Sequence, residues 1–251
     1  MTEKEKLRSG CLFEGIVSFR AVVESGNRKI ERLYYDEEKL RKSAREFGYL
    51  KAKSSERGFE IELRDRATLD EMAVGTNHGG LLFECGEREL APLSPEDLIE
   101  GGFFALLDGI EDPYNFGFAL RSLYAAGVDG VLLPPRNWMT AAGIVCRSSA
   151  GASERMLLRV ADPAAVPELF HAAGYRIVCA DMDRAVPLYE ADLRRPLLLV
   201  VGGEKRGIGA PLLAAADQIV RLEYGRDFPA ALSAASAAAI LGFEVLRQNL
   251  K

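Results

Sequence analysis

The chain has 251 residues, 48% of them hydrophobic and 27% charged, with a formal net charge of -5 at pH 7. That length holds one large domain or two of ordinary size with real cores. No apolar run approaches the ~20 residues of a membrane span, so the composition is that of a soluble globular protein, and the net charge argues against gripping nucleic acid through bulk positive charge. Residues 1–53 nevertheless carry 13 Lys and Arg against 9 Asp and Glu, so one basic face remains available to phosphates, the alternative being a solvated charged helix. The N-terminal stretch MTEKEKLRSG lacks the apolar core of a secretory signal, which predicts a cytoplasmic protein. Cys11, Cys85, Cys146 and Cys179 are widely spaced with no C-x-x-C pair. They read as reduced thiols, with neither a zinc site nor a disulfide framework indicated.

Residues from about Gly10 to Glu89 read as a small alternating unit. The expected elements are a helix at Cys11 to Glu24, a strand at Ile30 to Tyr35, a helix at Asp36 to Gly48 and a strand at Glu60 to Leu63. Thr68 and Glu71 have capping-box spacing and predict a short helix opening there. A turn at Asn77-His78-Gly79-Gly80 feeds a strand, and a lone His at such a turn more often caps backbone than touches a ligand. The Pro- and Gly-bearing stretch 91–102 reads as a linker, placing domains at residues 1–90 and 103–251.

From Phe103 the pattern alternates strand and helix. Strands are expected at Phe103 to Leu107, Val131 to Leu133, Met156 to Val160, Arg176 to Ala180, Leu197 to Val201 and Gln218 to Leu222. Helices are expected at Phe116 to Ala126, Thr140 to Ala150, Pro163 to Ala173, Pro211 to Ala216 and Pro229 to Gln248. Short aliphatic strands separated by helices imply an α/β domain with a parallel sheet covered on both faces. The run Leu197 to Gly209, LLLVVGGEKRGIG, takes a buried strand into a glycine pair where a ligand can press against bare backbone. A Rossmann unit places such a turn after its first strand, whereas this one comes near the end, so a different fold is required. The last helix is rich in Ala and Ser, so another backbone can approach it closely, although alanine's helix propensity alone is the simpler explanation.

Three segments in order resemble the motifs of the SpoU, or TrmH-like, RNA 2′-O-ribose methyltransferases of the SPOUT superfamily. The first is Asp112-Pro113-Tyr114-Asn115-Phe116-Gly117-Phe118-Ala119-Leu120-Arg121. The second is Gly202-Gly203-Glu204-Lys205-Arg206-Gly207. The third joins Leu222-Glu223-Tyr224, Leu232-Ser233 and Ile240-Leu241-Gly242-Phe243-Glu244, and Ser149-Ala150-Gly151-Ala152-Ser153-Glu154 between the first two is also family-like. The likeness covers about Phe103 to Lys251 and extends more faintly to the N-terminal domain, where His78-Gly79-Gly80 partly matches the family's His-Gln-Gly turn.

The resemblance implies a C-terminal α/β trefoil-knot domain with a parallel sheet, preceded by a small α/β RNA-binding domain resembling a ribosomal protein. It implies S-adenosylmethionine as cofactor, met by Val201, Gly202, Gly203, Gly207, Leu222 and Leu232 mainly through main-chain groups. It assigns Arg121 to the ribose hydroxyl and nearby phosphate; a guanidinium is a poor base, so its role is to stabilise negative charge. Asn115 positions by side-chain hydrogen bonds, and Glu204 either orients groups around Arg121 or caps the second-motif loop. Ser233 donates to substrate or cofactor. Lys205 and Arg206 either contact phosphate or belong to a solvated loop. A homodimer with the site at the subunit interface is implied, with RNA, ribosomal or transfer, as substrate, and neither a metal nor a membrane as partner.

The chain departs from the family in the last motif. Ala231-Leu232-Ser233 replaces Ser-Leu-Asn, and Leu222-Glu223-Tyr224 replaces Ile-Pro-Met. Three readings therefore stand: a 2′-O-ribose methyltransferase, a knotted RNA-binding dimer without catalysis, and a base-modifying methyltransferase.

Overall fold

The computed structural model describes residues 12–75, 77–135 and 141–250. The charged N-terminus, Cys11 and the expected helix start at Thr140 lie outside them. The chain divides into two compact units, one drawn from Met1–Glu89 and Asn137–Arg155, the other from Leu90–Arg136 and Met156–Lys251.

In the first unit, Leu12–Glu14 forms β1, all buried, where the sequence predicts the start of a helix. Three residues are too few to display a period, and Leu12 and Phe13 are held by antiparallel pairing with β4, Leu81–Cys85. Helix α1 follows at Gly15–Ser25. Strand β2, Ile30–Asp36, pairs with β4 antiparallel and with β3, Glu60–Arg64, in parallel, giving the order β1-β4-β2-β3.

The expected helix at 36–48 is two helices, α2 at Glu37–Lys42 and α3 at Ala44–Arg57. Asp36 caps the first by accepting from the amides of Glu38 and Lys39. Ser43 breaks the run with φ -133 and ψ 53, a position serine tolerates better than a helix interior. Helix α4, Arg66–Met72, also starts earlier than expected. Its cap is Asp65, whose carboxylate accepts from both the amide and the hydroxyl of Thr68, so Thr68 donates where a capping box needs it to accept.

Two further helices, α6 at Ala142–Ser148 and α7 at Ala152–Arg155, pack within this unit; the sequence reading places both in the second domain. Ala142 and Cys146 join the core of Phe13, Phe19, Phe59 and Phe83. Two buried carboxylates hold the segment. Glu154, 2% exposed, pairs with Arg28 at 3.0 Å, and its main-chain oxygen accepts from the Asn27 amide at 2.9 Å. Glu14 pairs with Arg147 and accepts from the amides of Val74 and Gly75 at 2.7 and 2.9 Å. Buried charge is tolerated only when so satisfied. Burial pushes the Cys146 thiol up to about 12, leaving it a neutral core residue.

The second unit is a seven-stranded, wholly parallel sheet. Its strands are β5 Phe103–Asp108, β6 Gly130–Leu133, β7 Leu157–Val160, β8 Arg176–Ala180, β9 Val186–Pro187, β10 Leu197–Gly202 and β11 Gln218–Arg221. The order β7-β6-β5-β10-β8-β11-β9 places the aliphatic β10 between β5 and β8, buried on both faces, as its unbroken hydrophobic run requires. Helix α5 is Pro113–Ala125, α8 Val166–Ala172, α9 Ala210–Ala214 and α10 Ala234–Asn249. The stretch 91–102 is tied to β7: Val160 and Leu93 exchange main-chain bonds with Ala91 and Val160, and Arg159 grips Asp97 with both carboxylate oxygens at 2.9 Å. That guanidinium holds the Asp97 carboxyl below its usual range. Helix α10 starts at Ala234, later than expected, and packs on α5. A Cβ on Gly242 would sit 3.2 Å from Leu123 and 3.3 Å from Ala126, so its small residues serve close packing as well as propensity.

The buried Glu154 pair predicts an asymmetric response to truncation. Glu154→Ala should destabilise the first unit by about 3–5 kcal/mol because it strands the Arg28 charge. Arg155→Ala, which removes the exposed pair with Glu24, should cost less than about 1 kcal/mol. Urea denaturation measures both, and equal losses would contradict the assignment.

Candidate active site

All strands of the second unit run in the same direction, so β5, β8, β10 and β11 end at one edge of the sheet, where open α/β sheets hold ligands. Gly202 lies opposite Asp108 in the β10–β5 register. One residue later the amide of Gly203 donates to the Asp108 main-chain oxygen at 2.6 Å. A Cβ on Gly203 would lie 2.1 Å from the Gly109 oxygen, and one on Gly202 would lie 2.4 Å from the Gly207 carbonyl carbon. Bare backbone is therefore a steric requirement at both positions. The Gly207 amide bonds to the Gly203 oxygen at 2.9 Å, and the Gly209 amide donates to the Asp108 carboxylate at 2.8 Å. Asp108 thus holds both ends of the second-motif turn, a role the sequence reading missed because an acid at a strand end carries no spacing signal.

Beside this turn lies a cavity of about 270 Å³, near the lower end of the roughly 300–1,000 Å³ of small-molecule sites. Its walls come from the ends of β8 (Ala180, Asp181, Met182), β10 (Val201 to Glu204, with Gly207) and β11 (Val220 to Leu222), from Tyr224, Ala231 and Leu232, and from α10. All six residues expected to meet a cofactor, Val201, Gly202, Gly203, Gly207, Leu222 and Leu232, line it. Asp181, Met182, Tyr224 and the alanines of α10 are additional. Their positions follow from strands 20 to 40 residues apart ending together, which local spacing does not reveal. The lining suits a largely apolar ligand that also carries positive charge. Aliphatic side chains dominate, the carboxylates are Asp181 and Glu204, and the single guanidinium, Arg221, is engaged by Glu223 and the Ala185 oxygen. Cys179, one residue before the lining end of β8, has its thiol pushed up to about 12 by burial and is no nucleophile.

Glu204 joins the three motif segments. One oxygen, Oε1, accepts from the Asn115 side-chain amide at 2.9 Å and from the Ala234 main-chain amide at 3.3 Å. It thereby links the first turn of α5 to the first turn of α10, where a carboxylate is also favoured by the helix dipole. Asn115 itself lies in a turn capped by Asp112 at 2.7 Å. Ser233 is the N-cap of α10, its hydroxyl accepting from the Ser236 amide at 3.2 Å. Lys205 pairs with Glu111 at 2.9 Å across exposed surface, and Arg206 is exposed on the same turn.

Arg121 is exposed on α5 and is not among the cavity-lining residues of its own chain. It follows Phe118 by three residues and Tyr114 by seven, so it shares their helix face; both aromatics are exposed, as are Ile240 and Phe243 on α10. His78 is fully buried. Its Nε2 meets Asp70 at 2.7 Å and its Nδ1 accepts the Gly80 amide at 3.2 Å, so it caps its turn. Among the described residues no cluster of His, Cys, Asp and Glu is arranged to hold a metal, and no helix is long and apolar enough to cross a membrane.

Comparison with known proteins agrees with this geometry. Residues 102–243 match the sequence model of the SpoU rRNA Methylase family, and residues 12–91 match the model described as RNA 2′-O ribose methyltransferase substrate binding. The 23S rRNA (guanosine-2′-O-)-methyltransferase RlmB of Pseudomonas aeruginosa is 32% identical over 200 residues, covering 76% of this chain and 80% of that protein. A crystal structure of an RNA 2′-O ribose methyltransferase superposes with TM-score 0.78 at 26% identity, covering 94% of this chain and 88% of the other. An AdoMet-bound rRNA methyltransferase from Sinorhizobium meliloti shares the fold, with TM-score 0.81 at 22% identity and coverage of 99% and 95%. With its sheet, its glycine turn and both sequence matches in agreement, the chain belongs to the SpoU rRNA methylase family.

Proposed function

We propose that this protein transfers methyl groups from S-adenosylmethionine to ribose 2′-hydroxyls of structured RNA, ribosomal or transfer. The observation that carries the reading is the convergence of Gly202, Gly203, Glu204, Gly207, Leu222 and Leu232 on one cavity, with Asn115 and the start of α10 tied to Glu204. The cavity fits the cofactor chemically: apolar walls for adenine, and Asp181 and Glu204 for a ligand carrying ammonium and sulfonium charge. When bound, the cofactor supplies the activated methyl group.

The chain's own residues supply alignment and charge. Methyl transfer to a hydroxyl needs the reacting groups held in line and the developing negative charge stabilised. Glu204 fixes Asn115 and the α10 terminus, and Ser233 acts through the helix end it caps. Arg121 stabilises the hydroxyl and its neighbouring phosphate. It does so from the partner subunit, because the face it shares with Tyr114 and Phe118, together with Ile240 and Phe243 on α10, is an exposed apolar surface suited to a two-fold dimer. The knotted path belongs to the same reading, as does the N-terminal unit as an RNA grip in the cytoplasm.

A second reading, an RNA-binding dimer without catalysis, is favoured by one observation. The Ser233 hydroxyl is engaged as a helix cap, and Ala231 lines the cavity with no polar group. Calorimetry with S-adenosylmethionine separates the two readings: the enzyme binds it, the inactive descendant does not.

The direct assay is transfer of labelled methyl to ribosomal and transfer RNA from a strain lacking the gene, with the product linkage resistant to alkali. Arg121→Ala should lower turnover about a hundredfold or more while cofactor affinity holds; wild-type turnover would remove Arg121 from the mechanism. Gly203→Ala should weaken cofactor binding at least about tenfold, since its Cβ meets the Gly109 carbonyl, and unchanged calorimetric affinity would refute the cradle. Phe243→Glu should sediment as a monomer; an intact dimer would exclude this face as the interface.

A further inference from the structure

The loop between β11 and α10 carries a feature that the residues assigned above leave unused. It reads Glu223-Tyr224-Gly225-Arg226-Asp227-Phe228-Pro229, with two aromatic residues flanking an arginine. The Tyr224 and Phe228 rings lie 6.1 Å apart between centroids at 56°, within the range of a favourable tilted aromatic pair. Such a pair in a folded interior is covered. Here Tyr224 is 37% exposed and Phe228 54% exposed.

Tyr224 is also held in place. Tyr224 lines the cavity, and its hydroxyl accepts the Leu232 main-chain amide at 3.1 Å, bridging the loop eight residues on, beside another cavity residue. Phe228 is not part of the lining, so the exposed ring beside Tyr224 adds aromatic surface outside the cavity. Arg226 between them is exposed and makes no ion pair among the described residues. An anchored aromatic surface with a free guanidinium beside it matches the chemistry by which single-stranded RNA is held, bases stacking on rings and cations meeting phosphate. Its location adds a constraint. A ribose presented to a donor in this cavity carries its base within a few ångströms of the cavity mouth.

We propose that Tyr224 and Phe228 form a stacking platform for the base of the nucleotide whose ribose is methylated, with Arg226 meeting an adjacent phosphate. The inference rests on the methyltransferase reading above and adds a substrate-positioning element to it.

The test uses the whole chain with ribosomal and transfer RNA from a strain lacking the gene. Phe228→Ala should lower kcat/KM for RNA by about 5- to 150-fold, the loss expected for one stacked base. S-adenosylmethionine affinity by calorimetry and sedimentation should stay at wild-type values, and Phe228→Trp should retain activity. Phe228→Trp in a Trp138→Phe background provides a readout without methyl transfer, because the chain has a single tryptophan. Its fluorescence should be quenched by a mixed-sequence single-stranded oligoribonucleotide. Wild-type kcat/KM in Phe228→Ala, or unquenched tryptophan, overturns the platform. A loss confined to cofactor affinity reassigns the rings to adenine, and dissociation into monomers reassigns them to the subunit contact; either also overturns it. If the wild-type protein methylates no RNA yet the tryptophan is quenched, the enzymatic reading fails and the assignment of the rings to a methylated nucleotide fails with it, whereas methylation with unquenched tryptophan overturns the platform alone.

Discussion

The site depends on one contact between bare backbones. The Gly203 amide reaches the Asp108 carbonyl at 2.6 Å because Gly203 carries no side chain, whose Cβ would lie 2.1 Å from the Gly109 oxygen. That approach continues the β10–β5 pairing one step beyond the sheet and turns the chain sharply. The Asp108 carboxylate then receives the Gly209 amide, so a single residue on β5 fixes entry and exit of the turn. Everything chemical follows from that placement: the turn forms one wall of the cavity and carries Glu204 to a point from which it reaches two helices.

Glu204 converts this local geometry into a shared one. A carboxylate oxygen that takes one bond from the Asn115 side chain and another from the Ala234 backbone sets the relative position of α5 and α10. The two helices are already drawn together by the small residues of α10, with Gly242 against Leu123 and Ala126. Close packing leaves their outer aromatic and aliphatic residues uncovered, and Arg121 stands among them. The proposal that two copies each complete the other's site rests on this exposed face and on Arg121 lying outside the cavity of its own chain.

Much of this was legible in the amino-acid order. The aliphatic run at Leu197, the glycine pair after it and the alanine-rich last helix identify a buried parallel strand, a close backbone approach and a tight helix contact, and each has that physical cause in the structure. All six residues that the family resemblance implies for the cofactor line one cavity, the glycines among them at the end of the strand whose aliphatic run the sequence displays. Asp181, Tyr224 and Asp108 were not legible, since their roles arise where separate strands end side by side. Local competition misled the reading elsewhere. Asp65 outcompetes Thr68 as a cap, Ser43 divides one expected helix into two, and the three residues of β1 are held by pairing that no short-range period can signal. The packing of α6 and α7 within the first unit is likewise a matter of buried charge, Glu154 with Arg28 and Glu14 with Arg147, formed between residues more than a hundred positions apart.

The central claim is that the glycine turn, Glu204 and Arg121 together deliver a methyl group to ribose. Mapping of ribose methylation across total RNA, with the gene present, deleted and restored, measures that most directly. The account predicts at least one 2′-O-methylated nucleotide that disappears on deletion, returns with the intact gene and stays absent when the restored gene carries Arg121→Ala. Identical maps in all strains would contradict it.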